Sequence, residues 1–139
     1  GFTWTPAFIT YGDNNRTQMI RTAGPGHFED RAISAGTNPY LALAAYLTAG
    51  LDGVKRGLEP GEPNLGNMYE RSAGEIKAAG IGILPQSLAE ALEALREDEV
   101  VQSALGPIAA EFIAMKTDEW AEYDSQVSRW EVDQYLTSF

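Results

Sequence analysis

Between Asn14 and Arg31 the sequence reads NNRTQMIR and then, across Thr22 and Ala23, GPGHFEDR, placing Arg16, Arg21 and Arg31 close to His27 and Glu29 in a stretch otherwise poor in charge. A guanidinium is planar, permanently charged and forked, which suits the oxygens of phosphates and carboxylates. One glutamate among several arginines can also hold a divalent cation that bridges phosphate oxygens. Phosphoryl transfer needs such a set, because its catalysis is mostly positioning and charge neutralisation. The same residues have a plainer use, a cross-strand Arg21–Glu29 ion pair on a solvated sheet face, which adds little stability. On chemistry alone the ion pair is the favoured reading.

The elements that would carry these residues follow from turn chemistry. Pro6 to Tyr11 is aromatic and β-branched and runs into Gly12-Asp13-Asn14-Asn15, which predicts a strand and a turn. Thr17 to Ala23 reads as a second strand, Gly24-Pro25-Gly26 as a turn, and His27 to Ile33 as a third strand. A simple three-residue loop there pairs position 21 with 29 and 19 with 31, so Arg21 faces Glu29. Alternation along the strand puts His27, Glu29 and Arg31 on that same face.

Downstream the pattern is helical. Asn38-Pro39 offers an asparagine N-cap followed by proline at the first helical position. Tyr40, Ala44, Leu47, Leu51 and Val54 recur at helical spacing with apolar residues opposite them, which predicts a helix buried on most faces and ending near Gly57. Residues 58–67 read as a proline- and glycine-rich surface loop of low functional content, followed by a short helix after Ser72. Ser87 to Glu90 has the form of a capping box and starts a helix reaching about Arg96. Asp98 to Leu105 predicts a further short helix. A last long helix from Pro107 carries Ile113, Lys116, Trp120, Tyr123, Val127 and Trp130 as an aromatic seam into the C-terminal segment. The fold class is therefore α+β, three antiparallel strands at about 6–33 followed by a helical region at about 38–139.

The formal net charge is -10, and up to Gly36 Arg16, Arg21 and Arg31 balance Asp13, Glu29 and Asp30, so the acidic excess lies downstream. An acidic chain of this kind is repelled by nucleic acid and by anionic membranes. With no cysteine it has no disulfide frame, thiolate metal site or thiol nucleophile. It opens without the features of a secretion signal, and its most apolar run, from Tyr40, is too short to cross a bilayer. A cytoplasmic protein without nucleic-acid or membrane partners is expected.

Taken together, YGDNNRTQMIR, HFEDR, NPYLALAAYLTAGLDGVKRGLEPGEPN, NMYE, LPQSLAEALEAL and EFIAMKTDEWAEYDSQVSRWEVDQYL resemble the C-terminal part of the catalytic domain of the glutamine synthetase family. The resemblance covers essentially the whole chain, and NNRTQMIR, GPG and ED are most similar to the type III-like synthetases that include γ-glutamylmethylamide synthetases. It implies an ATP-dependent ligase that phosphorylates glutamate and lets ammonia or a small amine displace phosphate, with Mg2+ or Mn2+ as cofactor. It also implies stacked, dodecamer-like rings of identical subunits. By that resemblance Arg16 stands at the transferring phosphoryl group and at glutamate, Arg21 at the ATP phosphates, Glu29 at a divalent metal and Arg31 at the substrate carboxylate.

Departures from the family pattern carry expectations of their own. His27 replaces an arginine facing the nucleotide phosphates, which makes that contact weaker or pH-dependent, and no lysine stands near Gly24. Trp4 falls where a flap glutamate is usual, which implies a larger or more apolar amine than ammonia. Tyr69 aligns with a tyrosine that some members adenylylate and is read first as a surface-loop residue. No stretch matches the family's N-terminal β-grasp domain, its other metal-binding glutamates and histidine, or its glutamate-binding loop. A C-terminal piece of a longer protein, inactive alone, is therefore expected. The alternatives are a noncatalytic structural or interaction protein on the same fold and a γ-glutamylpolyamine synthetase.

Overall fold

The computed structural model describes residues 4–136. The chain divides into two compact units, one ending at Leu84 and the other beginning at Pro85. The first holds the sheet: β1 (Tyr11–Asp13), β2 (Ile20–Gly24) and β3 (His27–Asp30), in that order across the sheet.

The α+β class holds, but the sheet is mixed. β2 and β3 pair antiparallel with Arg21 opposite Glu29, as the turn between them predicts, and Arg31 N donates to Met19 O at 2.9 Å. The loop is tighter than expected. Gly24 pairs with His27, the register slips between Thr22 and Gly24, and Gly26 takes a left-handed φ of 67°. β1 runs parallel to β2, with Tyr11 opposite Ile20, whereas a short connection ordinarily signals a hairpin. The reason is that β1 is only three residues long, so residues 14–19 can double back along it before β2 begins. Much of the expected first strand is not paired in this sheet. Phe8 instead bridges Ile83, with Ile9 N donating to Gly82 O and Leu84 N to Ala7 O, both at 2.9 Å.

Helix α1 (Pro39–Arg56) forms as its caps dictate. Asn38 accepts from Tyr40 N and Leu41 N, and Gly57 ends the helix with φ 62°. Leu58 N and Gly57 N then close onto Gly53 O and Val54 O in a Schellman arrangement. The expectation of burial on most faces is not met: no residue of α1 is buried, and Tyr40, Leu43, Leu47, Leu51 and Val54 are all exposed. Apolar patterning records the surface a helix must cover, and this chain supplies little of the cover. Tyr46 reaches the sheet, its ring 6.3 Å from that of Phe28. A 3-10 turn (Met68–Glu70) and α2 (Ala73–Ala78) follow, the latter with a full Ser72–Glu75 capping box.

The second unit contains α3 (Leu88–Glu97), α4 (Glu99–Leu105), α5 (Ile108–Asp124) and α6 (Arg129–Tyr135). Leu92, Leu105 and Ala109 are buried where α3, α4 and α5 pack together. The expected continuous seam is broken. α5 stops at Asp124 and Ser128 recaps the chain with Glu131, so Val127 and Trp130 lie off the helix that carries Trp120 and Tyr123. The last three residues of the expected C-terminal segment lie outside the described residues. Among the described residues no helix is long and apolar enough to cross a membrane.

Candidate functional site

Arg21 of β2, residues of the turn before that strand and residues of the loop before Met68 meet at one cleft of about 690 Å³, lined by Trp4, Asn14, Arg16, Arg21, Gly66 and Asn67 among others. Arg21 is fixed twice. Its NH1 lies 2.5 Å from Glu29 Oε2 and its Nε donates to Asn14 Oδ1 at 2.8 Å. Arg31 reaches the other oxygen of Glu29, NH1 to Oε1 at 3.4 Å, and donates through NH2 to Trp4 O at 2.7 Å. Glu29 thus bridges two guanidinium groups. The Arg21 hydrogen bond holds its carboxyl below its ordinary value of 4.5 against partial desolvation, with the charges of Arg21, Arg31 and Arg16 adding to the lowering.

Arg16 differs from its neighbours. It is exposed, lines the cleft, and makes no hydrogen bond or ion pair to the described residues. The backbone on either side of it is held firmly. Asn15 Oδ1 accepts from Thr17 N at 2.9 Å and from Thr17 Oγ1 at 2.8 Å, an Asx turn. Asn15 Nδ2 donates to Gly66 O, Thr17 Oγ1 accepts from Met68 N at 3.0 Å, and Gln18 Nε2 donates to Asn64 O at 3.0 Å. Thr17 and Gln18 are, with Met68, the most deeply buried side chains described, so polar clamp and apolar side chain are buried together under the site.

The structure therefore gathers Arg16, Arg21, Glu29 and Arg31. His27 shares β3 with Glu29 but stands exposed at the hairpin end, outside the lining of the cleft. Sequence reasoning missed Asn14, Asn15, Thr17 and the loop residues Gly66 and Asn67, on a loop whose composition predicts low functional content. Their spacing carries no local signal, because the partners of the clamp lie 46 to 51 positions apart. Tyr69 is less of a free surface residue than expected: its hydroxyl donates to Thr5 O at 2.6 Å and its ring lies 6.3 Å from that of Trp4.

As a divalent-metal centre the described chain is insufficient. Glu29 offers one carboxylate with both oxygens engaged by arginines, and no group of three acidic, imidazole or thiolate side chains comes together among the described residues. What the arrangement can do by itself is bind anionic oxygens: Arg16 and Arg21 face one cleft, and only Arg21 has a counter-charge.

The family profile of the glutamine synthetase catalytic domain matches residues 2–135. The chain is 53% identical over 139 residues to a glutamate–methylamine ligase of Methyloversatilis universalis, spanning 100% of this chain and 31% of that protein. It is 43% identical to a glutamine synthetase of Staphylococcus aureus, over 96% of this chain and 31% of that one. Among solved structures it superposes on GmaS in complex with ADP with a TM-score of 0.88 at 42% identity, covering 96% of this chain and 30% of that chain. Against GmaS without ligand the TM-score is 0.82 at 41% identity. The chain thus spans about a third of the length of the ligases it matches. An arginine cleft suited to anionic oxygens, a profile matched nearly end to end and ligases as relatives agree: the chain belongs to the glutamine synthetase catalytic-domain family.

Proposed function

We propose that this chain is the C-terminal part of the catalytic domain of an ATP-dependent ligase that joins glutamate to an amine, the β-grasp domain and first part of the catalytic domain lying outside it. In the reaction, a side-chain carboxylate oxygen of glutamate attacks the γ-phosphorus of ATP and ADP leaves. The amine nitrogen then attacks the acyl carbon of γ-glutamyl phosphate, and phosphate departs as the amide forms and the nitrogen loses a proton. The observation that carries this reading is Arg16, a guanidinium without a counter-ion among the described residues, beside Arg21 in one cleft. Arg16 receives the charge that accumulates on the transferring phosphoryl group, and Arg21, anchored by Glu29, holds phosphate oxygens of ATP. Arg31 serves the glutamate carboxylate, and His27 stands toward the nucleotide from the hairpin end. Mg2+ or Mn2+ would be held by Glu29 together with ligands outside this chain, and would neutralise phosphate charge there.

The amine is an alkylamine in this reading. Trp4 gives the arginine cleft an apolar wall, and the 53% identical relative is a glutamate–methylamine ligase. The test is phosphate release by the full-length parent with ATP, glutamate and a panel of amines. Methylamine is expected to give the higher kcat/KM, Arg16→Ala to lower it roughly 10²- to 10³-fold, and the isolated chain to be inactive. A much higher kcat/KM with ammonia would remove the alkylamine assignment, and no release with any amine would remove the ligase.

A further inference from the structure

Arg16 sits between two residues whose side chains are committed to holding backbone. Asn15 closes the turn onto Thr17 N and Oγ1 and reaches across to Gly66 O. Thr17, 1% exposed, uses the same hydroxyl to accept from Met68 N. Gly66 and Asn67, directly before Met68, line the cleft that Arg16 lines. The segment that aims the arginine and the loop that borders the cleft are therefore tied by one hydrogen-bonded chain, Gly66–Asn15–Thr17–Met68.

We infer that Asn15 and Thr17 are positioning residues for Arg16, fixing the direction in which its guanidinium enters the cleft by anchoring it to the 64–68 loop. The inference rests on the reading of Arg16 as the group that receives transferring phosphoryl charge. It goes further by assigning that group's geometry to residues outside the arginine set and to a loop some fifty positions away. A buried threonine and a half-buried asparagine that only stabilised the fold would act on every function alike. Positioning residues act through Arg16 alone.

The experiment is a double-mutant cycle in the full-length parent, comparing Asn15→Ala, Arg16→Ala and the pair, with Thr17→Val and Thr17→Ser beside them. Asn15→Ala is expected to lower kcat roughly 10- to 100-fold with little change in the KM for ATP, the loss a misplaced catalytic group causes. Added to Arg16→Ala it is expected to lower kcat by less than about twofold more, because its target is gone. Thr17→Val should behave like Asn15→Ala, and Thr17→Ser, which keeps the hydroxyl, should restore wild-type kcat. A cryo-EM structure of the Asn15→Ala enzyme reads the guanidinium position without reference to activity and is expected to show it displaced. Additive losses in the cycle, or a guanidinium that has not moved, overturn the inference. If the wild-type parent releases no phosphate, the ligase reading fails, and the guanidinium position alone then decides the positioning role. Where Asn15→Ala does not assemble, the Thr17 pair carries both measurements.

Discussion

Glu29 must stay ionised to hold both Arg21 and Arg31. Its lowered proton affinity keeps it so. Because the folded value lies below the ordinary one, ionised Glu29 stabilises the fold above pH 4.5, and that contribution is lost as pH falls through the lowered value. Glu29→Gln should therefore lower the melting temperature at neutral pH, and the gap from wild type should close on acidification, as a pH series of thermal melts would show. The Arg21–Glu29 pairing was legible in the sequence because strand alternation fixes the face, and the slip between Thr22 and Gly24 offsets the tighter turn so that the expected opposition survives. The freedom of Arg16 was not, since it depends on which groups fail to approach it.

The helix α1, whose instructions are local, follows its sequence, and β1, which depends on distant partners, does not. α1 begins at Asn38-Pro39 and ends at Gly57 because the cap residues satisfy its terminal backbone groups. Asn38→Ala is accordingly expected to cost about 1 kcal/mol in denaturant unfolding. β1 was misread as antiparallel because its direction is set by how residues 14–19 fold back and by the 60–68 loop beside it. Gly12 on that strand has no room for a side chain, since a Cβ would collide with the carbonyl oxygen of Asn64. Gly12→Ala should lower stability by about 1 to 3 kcal/mol and, by pushing the loop away, reduce activity as well; paired melts and phosphate-release assays would separate the two effects. The break between α5 and α6 is itself written locally: Ser128-Arg129-Trp130-Glu131 has the capping-box form, and both halves of the box are made.

At the scale of the whole chain, the mismatch between apolar content and burial is informative. Hydrophobic residues make up 44% of the sequence, yet α1 buries none of its side chains and leucines 43, 47, 51, 58 and 65 are all more than half exposed. The relatives are about three times longer, and their additional length offers partners for such surfaces. Expressed alone, this segment should bind a hydrophobic dye and associate with rising concentration in sedimentation experiments, whereas the full-length parent should bind little dye. The α+β order and the family were readable because caps, turns and motif order are written locally. The uncovered faces were not, because an apolar stripe looks the same whether or not its partner is present.

The clamp beneath the site grips the 60–68 loop almost wholly by its main chain: Tyr11 Oη donates to Gly61 O, Gln18 Nε2 to Asn64 O, Asn15 Nδ2 to Gly66 O, and Met68 N donates to Thr17. Side-chain identity at Glu62 or Leu65 is outside that grip. The loop should therefore drift freely in composition while holding its length. A library randomising those two positions should retain activity, and inserting a single residue between Gly61 and Asn64 should abolish it by putting the carbonyls that follow out of step with the one at Gly61 and with their donors.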